Sequence, residues 1–361
     1  MSLILGIETS CDDTAAAVVR RQADGSCEIL SNEIWTDRAD HSLYGGIVPE
    51  IAARSHVERI DDVIARAIEQ AGIDYGDLRA IAATAGPGLV GGVMVGLTAG
   101  KAIALTHDKQ LVPVNHLEGH ALSARMTEAA DFPYLLLLIS GGHTQLLRVD
   151  GVGRYQRLGS TIDDAAGEAF DKTAKLLGLS QPGGPAVESA AKEGRPDRFA
   201  LPAPLARREG CDFSLAGLKT AVRLAAEKIS RPSRQDVADL AAAFQSALAG
   251  HLVSRTESAM EIIEDAFAEQ RRLVVAGGVA ANSALRQALA ALAESRGWRL
   301  IVPPTKYCTD NGAMIAWAGA ERLAAGLAPS PREAIAFAPR ARWPLAPPPE
   351  GKEHGGGKKG P

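Results

Sequence analysis

The stretch NHLEGH, residues 115–120, places two imidazoles four residues apart with a carboxylate between them. On a helix, His116 and His120 fall about 40° apart around the axis, so their rings share a face and can share one metal ion. The carboxylate is in the wrong place for a zinc protease. That motif is H-E-x-x-H, with the glutamate directly after the first histidine. Here Glu118 comes one position later, about 200° round the helix, and points away from the pair. It is badly placed to deprotonate water held by the histidines. A pair at this spacing also serves as a capping or core pair, and a third ligand would decide the matter. The best candidate is Asp310, at a loop-to-helix junction in CTDNGAMIAWAG, whose other reading is a plain N-cap.

Three glycine turns could bring backbone close to a ligand: Ser140–His143 (SGGH), Gly183–Ala186 (GGPA) and Gly277–Asn282 (GGVAAN). The last opens a helix, whose N-terminal amides favour an anion such as phosphate. None is a P-loop, and none fits a dinucleotide fingerprint. The segment IDDAAGEAFDKTAKLLG puts Asp164, Glu168 and Asp171 on neighbouring helix faces. They suit either a solvated surface, with Asp171 paired to Lys175, or a grip on ribose hydroxyls or a cation. FSLAGLKTAV, residues 213–222, is similarly particular, combining small residues, an apolar stripe and one lysine, although helix packing alone could explain it.

The elements that must position these groups alternate between strand and helix. Leu3–Glu8, a polar turn at Thr9–Thr14 and Ala15–Arg20 read as a hairpin. Leu135–Ile139, a turn at Ser140–Thr144 and Gln145–Val149 repeat that pattern, which predicts two related lobes. A helix is expected over Pro49–Ala71, from apolar residues at helical spacing. Strand Ala80–Ala85 leads to a glycine loop and helix, and strand Leu111–Val114 leads into NHLEGH. Helices are expected over about 163–178, 214–229, 235–268 and 310–324, with strands at Leu273–Ala276 and Arg299–Val302. The alternation is that of an α/β protein.

Bulk composition narrows the function classes. The 361 residues suffice for two cores, and 46% hydrophobic with 23% charged residues reads as globular. With 39 basic against 43 acidic residues, the net charge of −4 argues against wrapping nucleic acid by bulk charge. No run approaches the ~20 apolar residues of a membrane helix. The N-terminus lacks the basic and apolar regions of a signal peptide, and four scattered cysteines suggest no disulfide framework. The expected location is the cytoplasm, without membrane contact.

GIETSCDDTAAAVV, NHLEGH, ISGGHTQL, DDAAGEAFDKTAKLLGL, PGGP, FSLAGLKTAV, GGVAANSALR and TDNGAMIAWAG occur in this order. So ordered, they resemble the universal tRNA N6-threonylcarbamoyladenosine transferase family, formerly described as O-sialoglycoprotein endopeptidases. Each glycine turn alone is unspecific; the ordered set is highly specific. The resemblance runs from about Ile4 to Leu345. The first block reads CDDT where many members have CDET, which keeps the carboxylate.

The resemblance implies the actin–Hsp70–sugar kinase architecture, α/β with two related actin-like lobes and a nucleotide in the cleft. Residues 1–130 plus 310–345 would form one lobe, 131–309 the other, and 346–361 a disordered tail. It implies one divalent metal ion on His116, His120 and Asp310, iron(II) ahead of zinc. Nucleotide contacts would be Leu138, Ile139, Ser140, Gly141, Gly142, Asp171, Gly184, Glu188 and Asn282. Asp171 and Glu188 would meet the ribose, Gly184 and Asn282 would lie near the nucleoside, and the SGG turn near the phosphate and metal.

The implied reaction moves threonylcarbamoyl from threonylcarbamoyl-AMP to N6 of adenosine 37, beside the anticodon, in tRNAs reading codons that begin with A. That amine is a poor nucleophile, so the acyl carbon must be activated, as a Lewis-acidic metal can do. Asp12, Asp13, His143 and Glu118 are the candidate bases. Arg54, Arg59, Arg207, Arg208, Lys219 and Arg223 are candidates for the tRNA backbone. The implied partners are a paralogous two-lobe subunit and a small P-loop ATPase. An apolar patch on the helix within Ile47–Ala71 would suit a helix–helix interface. The alternatives account for less. A small-molecule O-carbamoyltransferase of related fold needs an acyl-activating domain for which 361 residues leave no room. A non-catalytic paralogue would lack the three metal ligands. A sugar kinase or chaperone-type ATPase leaves the histidine pair unexplained.

Overall fold

The computed structural model describes residues 1–36, 47–128, 130–206, 208–267 and 270–347. Arg207 and all but the first two residues of the expected tail lie outside them. Apolar β1 (Ser2–Glu8) and β2 (Asp13–Arg21) pair antiparallel, with Ile7 opposite Ala16. A third strand, β3 (Cys27–Thr36), extends the meander, with a bulge between Val18 and Val19 of β2. Sequence reading passed over β3 because CEILSNEIWT has no clean two-residue alternation. Helix α1 (Pro49–Ala71) has proline in its first turn and stops at Gly72, whose φ is 64°. Then β4 (Ala80–Gly86), α2 (Val90–Thr106), β5 (Gln110–Asn115) and α3 (His116–Thr127) follow. With β4 parallel to β1 and β5 parallel to β4, the sheet order is β3-β2-β1-β4-β5.

The pattern then recurs. The strands β6 (Tyr134–Ile139), β7 (Thr144–Gly151) and β8 (Arg154–Ser160) come first. Helices α4 (Ala166–Leu176), α5 (Gly183–Ala191), α6 (Ala216–Glu227) and α7 (Arg234–Ile263) follow. Strand β9 (Arg272–Ala276), helix α8 (Ser283–Ser295) and strand β10 (Arg299–Ile301) complete the set. The order β10-β9-β6-β7-β8 is that of the first sheet, with β6 in the place of β1 and β9 in the place of β4. The expected duplication is therefore one of topology. Two readings need correction. GGPA is the first turn of α5 rather than a loop. The helix expected from 163 starts at Ala166, because Asp163 is occupied in capping α6: it accepts the amides of Leu215 at 2.7 Å and Ala216 at 3.2 Å.

The chain divides into two compact units. One comprises Met1–Asp131, Gly151–Arg154 and Thr309–Leu345; the other comprises Phe132–Asp150 and Tyr155–Cys308. Leu5, Ile7, Ile64 and Leu97 lie in the core of the first; Leu135, Leu137, Phe170 and Phe244 lie in that of the second. Among the described residues, no helix is long and apolar enough to cross a membrane.

Helix α9 (Gly312–Ala324) lies on the first sheet along a line of small residues: Gly312, Ala316 and Gly319. A Cβ on Gly6 would stand 2.2 Å from the Gly312 carbonyl oxygen, and one on Gly312 would stand 2.5 Å from the Ala16 backbone. Neither backbone can retreat without moving a strand. Gly312→Ala is therefore expected to lower unfolding free energy in urea by roughly 3 kcal/mol. Gly76→Ala, where the added carbon meets nothing within 4 Å, should stay within about 0.5 kcal/mol of the parent.

Candidate metal centre

Asn115 converts the end of β5 into the start of α3. Its Oδ1 accepts the Leu117 amide at 2.9 Å, and its Nδ2 donates to the Trp343 carbonyl at 3.0 Å. His116 is thus the first residue of the helix and His120 lies one turn on, both buried. Their rings meet edge to face, 4.8 Å between centroids. Both Nε2 atoms face one oxygen: Asp310 Oδ1 is 3.1 Å from His120 Nε2 and 3.5 Å from His116 Nε2. The N-cap of α9 is Asn311, whose Oδ1 accepts the Met314 amide at 2.9 Å. Asp310 is therefore not the cap and stands beside the histidines. The three ligand atoms lie within 4.8 Å of one another, and two imidazoles with one carboxylate fit a divalent transition metal.

Sequence reading missed the residues around the pair. Glu8, at the end of β1, is fully buried, and its Oε2 lies 2.9 Å from His116 Nδ1. Thr84 donates to the same oxygen at 2.6 Å, and the Ser10 amide donates to Oε1 at 2.5 Å. Burial alone would raise the Glu8 carboxyl, but the neighbouring His116 holds it below the ordinary carboxylate range. For His116, burial works against the charged form. The carboxylates of Glu8 and Asp310 outweigh it and bring the imidazole up to about 9. A metal ion taking the Nε2 lone pair competes with that proton. The available signal was a glutamate ending the apolar run Leu3–Ile7.

Asp12 and Asp13 lie at the β1–β2 turn. Burial raises the Asp13 carboxyl to about 7, although Thr36 donates to it at 2.5 Å. The turn is braced from α1 and α2. His56 Nδ1 lies 2.8 Å from Thr14 Oγ1 and its Nε2 lies 3.1 Å from the Cys11 carbonyl. Thr9 Oγ1 donates to the Gly92 carbonyl at 2.8 Å, an approach that a side chain at Gly92 or Gly96 would block.

In the second unit, Leu138 and Ile139 are fully buried, so only their backbone can serve a ligand. Ser140 Oγ accepts the His143 amide at 3.2 Å, which closes the turn. Gly141 and Gly142 are exposed, and Cβ atoms there, or at Gly184, would meet nothing within 4 Å. Gly277, at φ 96°, packs against this turn: a Cβ would stand 2.5 Å from the Ile139 carbonyl. Asp171 Oδ1 accepts the Gly183 amide at 2.8 Å. Glu188 Oε1 accepts from Ser283, by its amide at 2.9 Å and by its hydroxyl. Asn282 caps α8 and donates to Gln245 at 2.9 Å. Asp171 is thus tied to the first residue of α5, and Glu188 of α5 to Ser283, the neighbour of Asn282. Asp164 and Glu168 instead hold Lys172, each at 2.7 Å.

The basic residues are less distinctive. Arg54 pairs with Glu50 at 2.8 Å, Arg223 reaches Glu227 at 3.9 Å, and Arg59 lies over the Trp35 ring. Lys219 is half-buried on α6, and the Arg208 carbonyl accepts from Arg255 at 2.7 Å.

Two sheets of one topology, each opening with a hairpin, and a His–His–Asp constellation define an α/β protein of actin-like ATPase fold with a candidate metal centre. Solved structures share the fold. HypF of T. kodakarensis matches with TM-score 0.60 and 16% identity, over 92% of this chain and 49% of that one. The (R)-2-hydroxyglutaryl-CoA dehydratase component A of Acidaminococcus fermentans matches with TM-score 0.50 and 16% identity, over 90% of this chain and 100% of that one. Residues 28–317 match the family described as tRNA N6-adenosine threonylcarbamoyltransferase. A relative of that name from Rhizobium leguminosarum bv. trifolii is 58% identical over 345 residues, 95% of this chain and 94% of the relative. Another, from Methylocapsa acidiphila, is 56% identical over 352 residues, 98% of this chain and 99% of the relative. The chain belongs to this family.

Glu118, a candidate base on sequence, has a different place. It is buried, accepts from Arg322 Nη1 at 2.9 Å and takes the Gly153 amide at 3.2 Å. With Arg125 on Glu321 at 2.8 Å, it clamps α3 to α9 by two ion pairs of opposite sense. Glu118→Gln is expected to cost roughly 2–3 kcal/mol of unfolding free energy, measured in denaturant, because Arg322 loses its counter-charge. Unchanged stability would mean the clamp is not what Glu118 contributes.

Proposed function

We propose that this protein transfers the threonylcarbamoyl group of threonylcarbamoyl-AMP to N6 of adenosine 37 in tRNAs reading codons that begin with A. The observation that carries the reading is the convergence of His116, His120 and Asp310 in a chain of this family. These three residues would hold one divalent ion, iron(II) in preference to zinc. When bound, that ion supplies Lewis acidity toward a carbonyl or phosphate oxygen. The protein's own residues do the rest. The Ser140–Gly142 turn, continuing from Leu138 and Ile139, presents backbone to the donor nucleotide. Asp171 and Glu188 are assigned to the ribose hydroxyls, and Gly184 and Asn282 to the nucleoside. Asp12 and Asp13 are assigned to proton transfer. An Asp13 carboxyl brought to about 7 by burial suits a base that takes the N6 proton near neutral pH. The acceptor is a loop base, which can be splayed out and read singly. The working compartment is the cytoplasm.

Two partners belong to this reading, a paralogous two-lobe subunit and a small P-loop ATPase. For the first, support comes from an apolar face on neighbouring helices. Val57 of α1 is 63% exposed, and Val90 and Met94 of α2 are 53% and 54% exposed. Gly91 lets the two helices meet: its Cβ would lie 3.1 Å from that of Ala53, one turn before Val57. Exposed apolar side chains on two packed helices fit helix-on-helix docking.

The function is tested with threonylcarbamoyl-AMP, unmodified tRNA and the partner subunits, reading modified adenosine by mass spectrometry. Wild type is expected to modify the tRNA. His116→Ala and His120→Ala should each fall by about 100-fold or more while still folded by far-ultraviolet dichroism. Undiminished variants would remove the histidines from the mechanism. Separately, Val57→Glu combined with Met94→Glu should weaken association with the paralogous subunit by roughly 100-fold in calorimetry, through lost apolar burial and buried charge. Unaltered affinity would move the interface elsewhere.

A further inference from the structure

We propose that Glu8 is a positioning residue for the metal centre: its carboxylate accepts the Nδ1–H of His116, which fixes the orientation of the ring and leaves Nε2 on the Asp310 side for the ion. The inference rests on the metal reading of His116, His120 and Asp310.

The geometry fixes which ring nitrogen Glu8 engages. Glu8 Oε2 lies 2.9 Å from His116 Nδ1, and an ionised carboxylate only accepts. Nδ1 therefore carries a proton toward Glu8, and Nε2, on the Asp310 side of the ring, is the nitrogen left to an ion. Ser10 Oγ, 3.1 Å from the same Nδ1, can accept a second share of the proton. The carboxylate itself cannot turn. Thr84 Oγ1 fixes Oε2 at 2.6 Å and the Ser10 amide fixes Oε1 at 2.5 Å, from two sides. Glu8 has no exposed surface, and among the described residues its ion-pairing partner is His116 alone. A glutamine would satisfy Thr84 and Ser10 with far less desolvation, so bracing the strand end does not explain a carboxylate here. Its charge adds electron density to the imidazole, as a carboxylate behind a metal-bound histidine does. The arrangement is one-sided. His120 Nδ1 is buried without a hydrogen-bond partner among the described residues, so Glu8 acts on one of the two histidines.

The test uses the full chain with Co(II) as probe, followed by its d–d absorption, and Zn(II) by chelator competition. Wild type, Glu8→Gln, His116→Ala and His120→Ala are compared. Glu8→Gln is expected to bind both ions about 10–100-fold more weakly, with a changed Co(II) spectrum and an unchanged far-ultraviolet dichroism spectrum. If Glu8→Gln binds within threefold of wild type while the histidine variants lose the ion, Glu8 is only a strand-end brace and the proposal falls alone. If wild type binds neither ion, or the histidine variants bind as wild type does, the metal reading fails and takes the proposal with it. A second measurement needs no folded Glu8 variant. Long-range 1H–15N correlation of histidine-labelled, zinc-loaded wild type, with His116 assigned by its loss in His116→Ala, should show the proton on Nδ1. A proton on Nε2 would overturn the proposal.

Discussion

The first sheet and α9 touch backbone to backbone, and the candidate metal centre depends on that contact. Gly6 of β1, Gly312 of α9 and the chain at Ala16 meet where no side chain fits. Because α9 cannot rise off the sheet, the residues just before it are held at the sheet's polar end. Asn311 fills the cap position, and Asp310 is set beside His116 and His120. The Glu118–Arg322 and Arg125–Glu321 pairs fix the same geometry from the helix side. A candidate metal ligand delivered from almost two hundred residues away is thus held by small residues and paired charges.

The acidic residues of the chain divide sharply by environment. Glu8 is buried against an imidazole and Glu118 against a guanidinium. Each is a carboxylate whose burial is answered by a donor in place. Asp13 differs, because burial exceeds the help it receives, and its proton affinity rises toward neutrality. Charge count alone could not separate these groups, since all of them contribute equally to a net of −4.

The two units share strand order but diverge in the turn that follows the first strand. In one, the turn carries Ser10, Cys11, Asp12 and Asp13, close to imidazoles. In the other, the equivalent turn carries Gly141 and Gly142, with open space where side chains would stand. The amides of Gly167 and Glu168, at the start of α4, donate to the carbonyls of Ser140 and Gly141 and so hold that turn open. One topology thus offers a carboxylate-rich end and a bare-backbone end, and the difference lies in a handful of residues.

Much of this was legible in the chain itself. Helical spacing located α1 to the residue, because its apolar stripe, leading proline and trailing glycine are local signals. Apolar runs flanking a polar turn located both hairpins, and the histidine spacing on α3 gave the pair and set Glu118 apart. What stayed hidden depends on partners distant in sequence. Strand β3 has no alternation of its own and is defined by β2. GGPA looks like a turn until α5 forms. Asp310 and Asn311 are equally good caps on paper, and only the packed α9 shows which one caps. Glu8 looks like the last residue of a strand, and nothing local says that His116 and Thr84 will close on it. Sequence determines what each segment can do alone, through period, cap and turn chemistry. Tertiary structure decides which polar group meets which, because a buried charge is settled by neighbours that the chain brings from elsewhere.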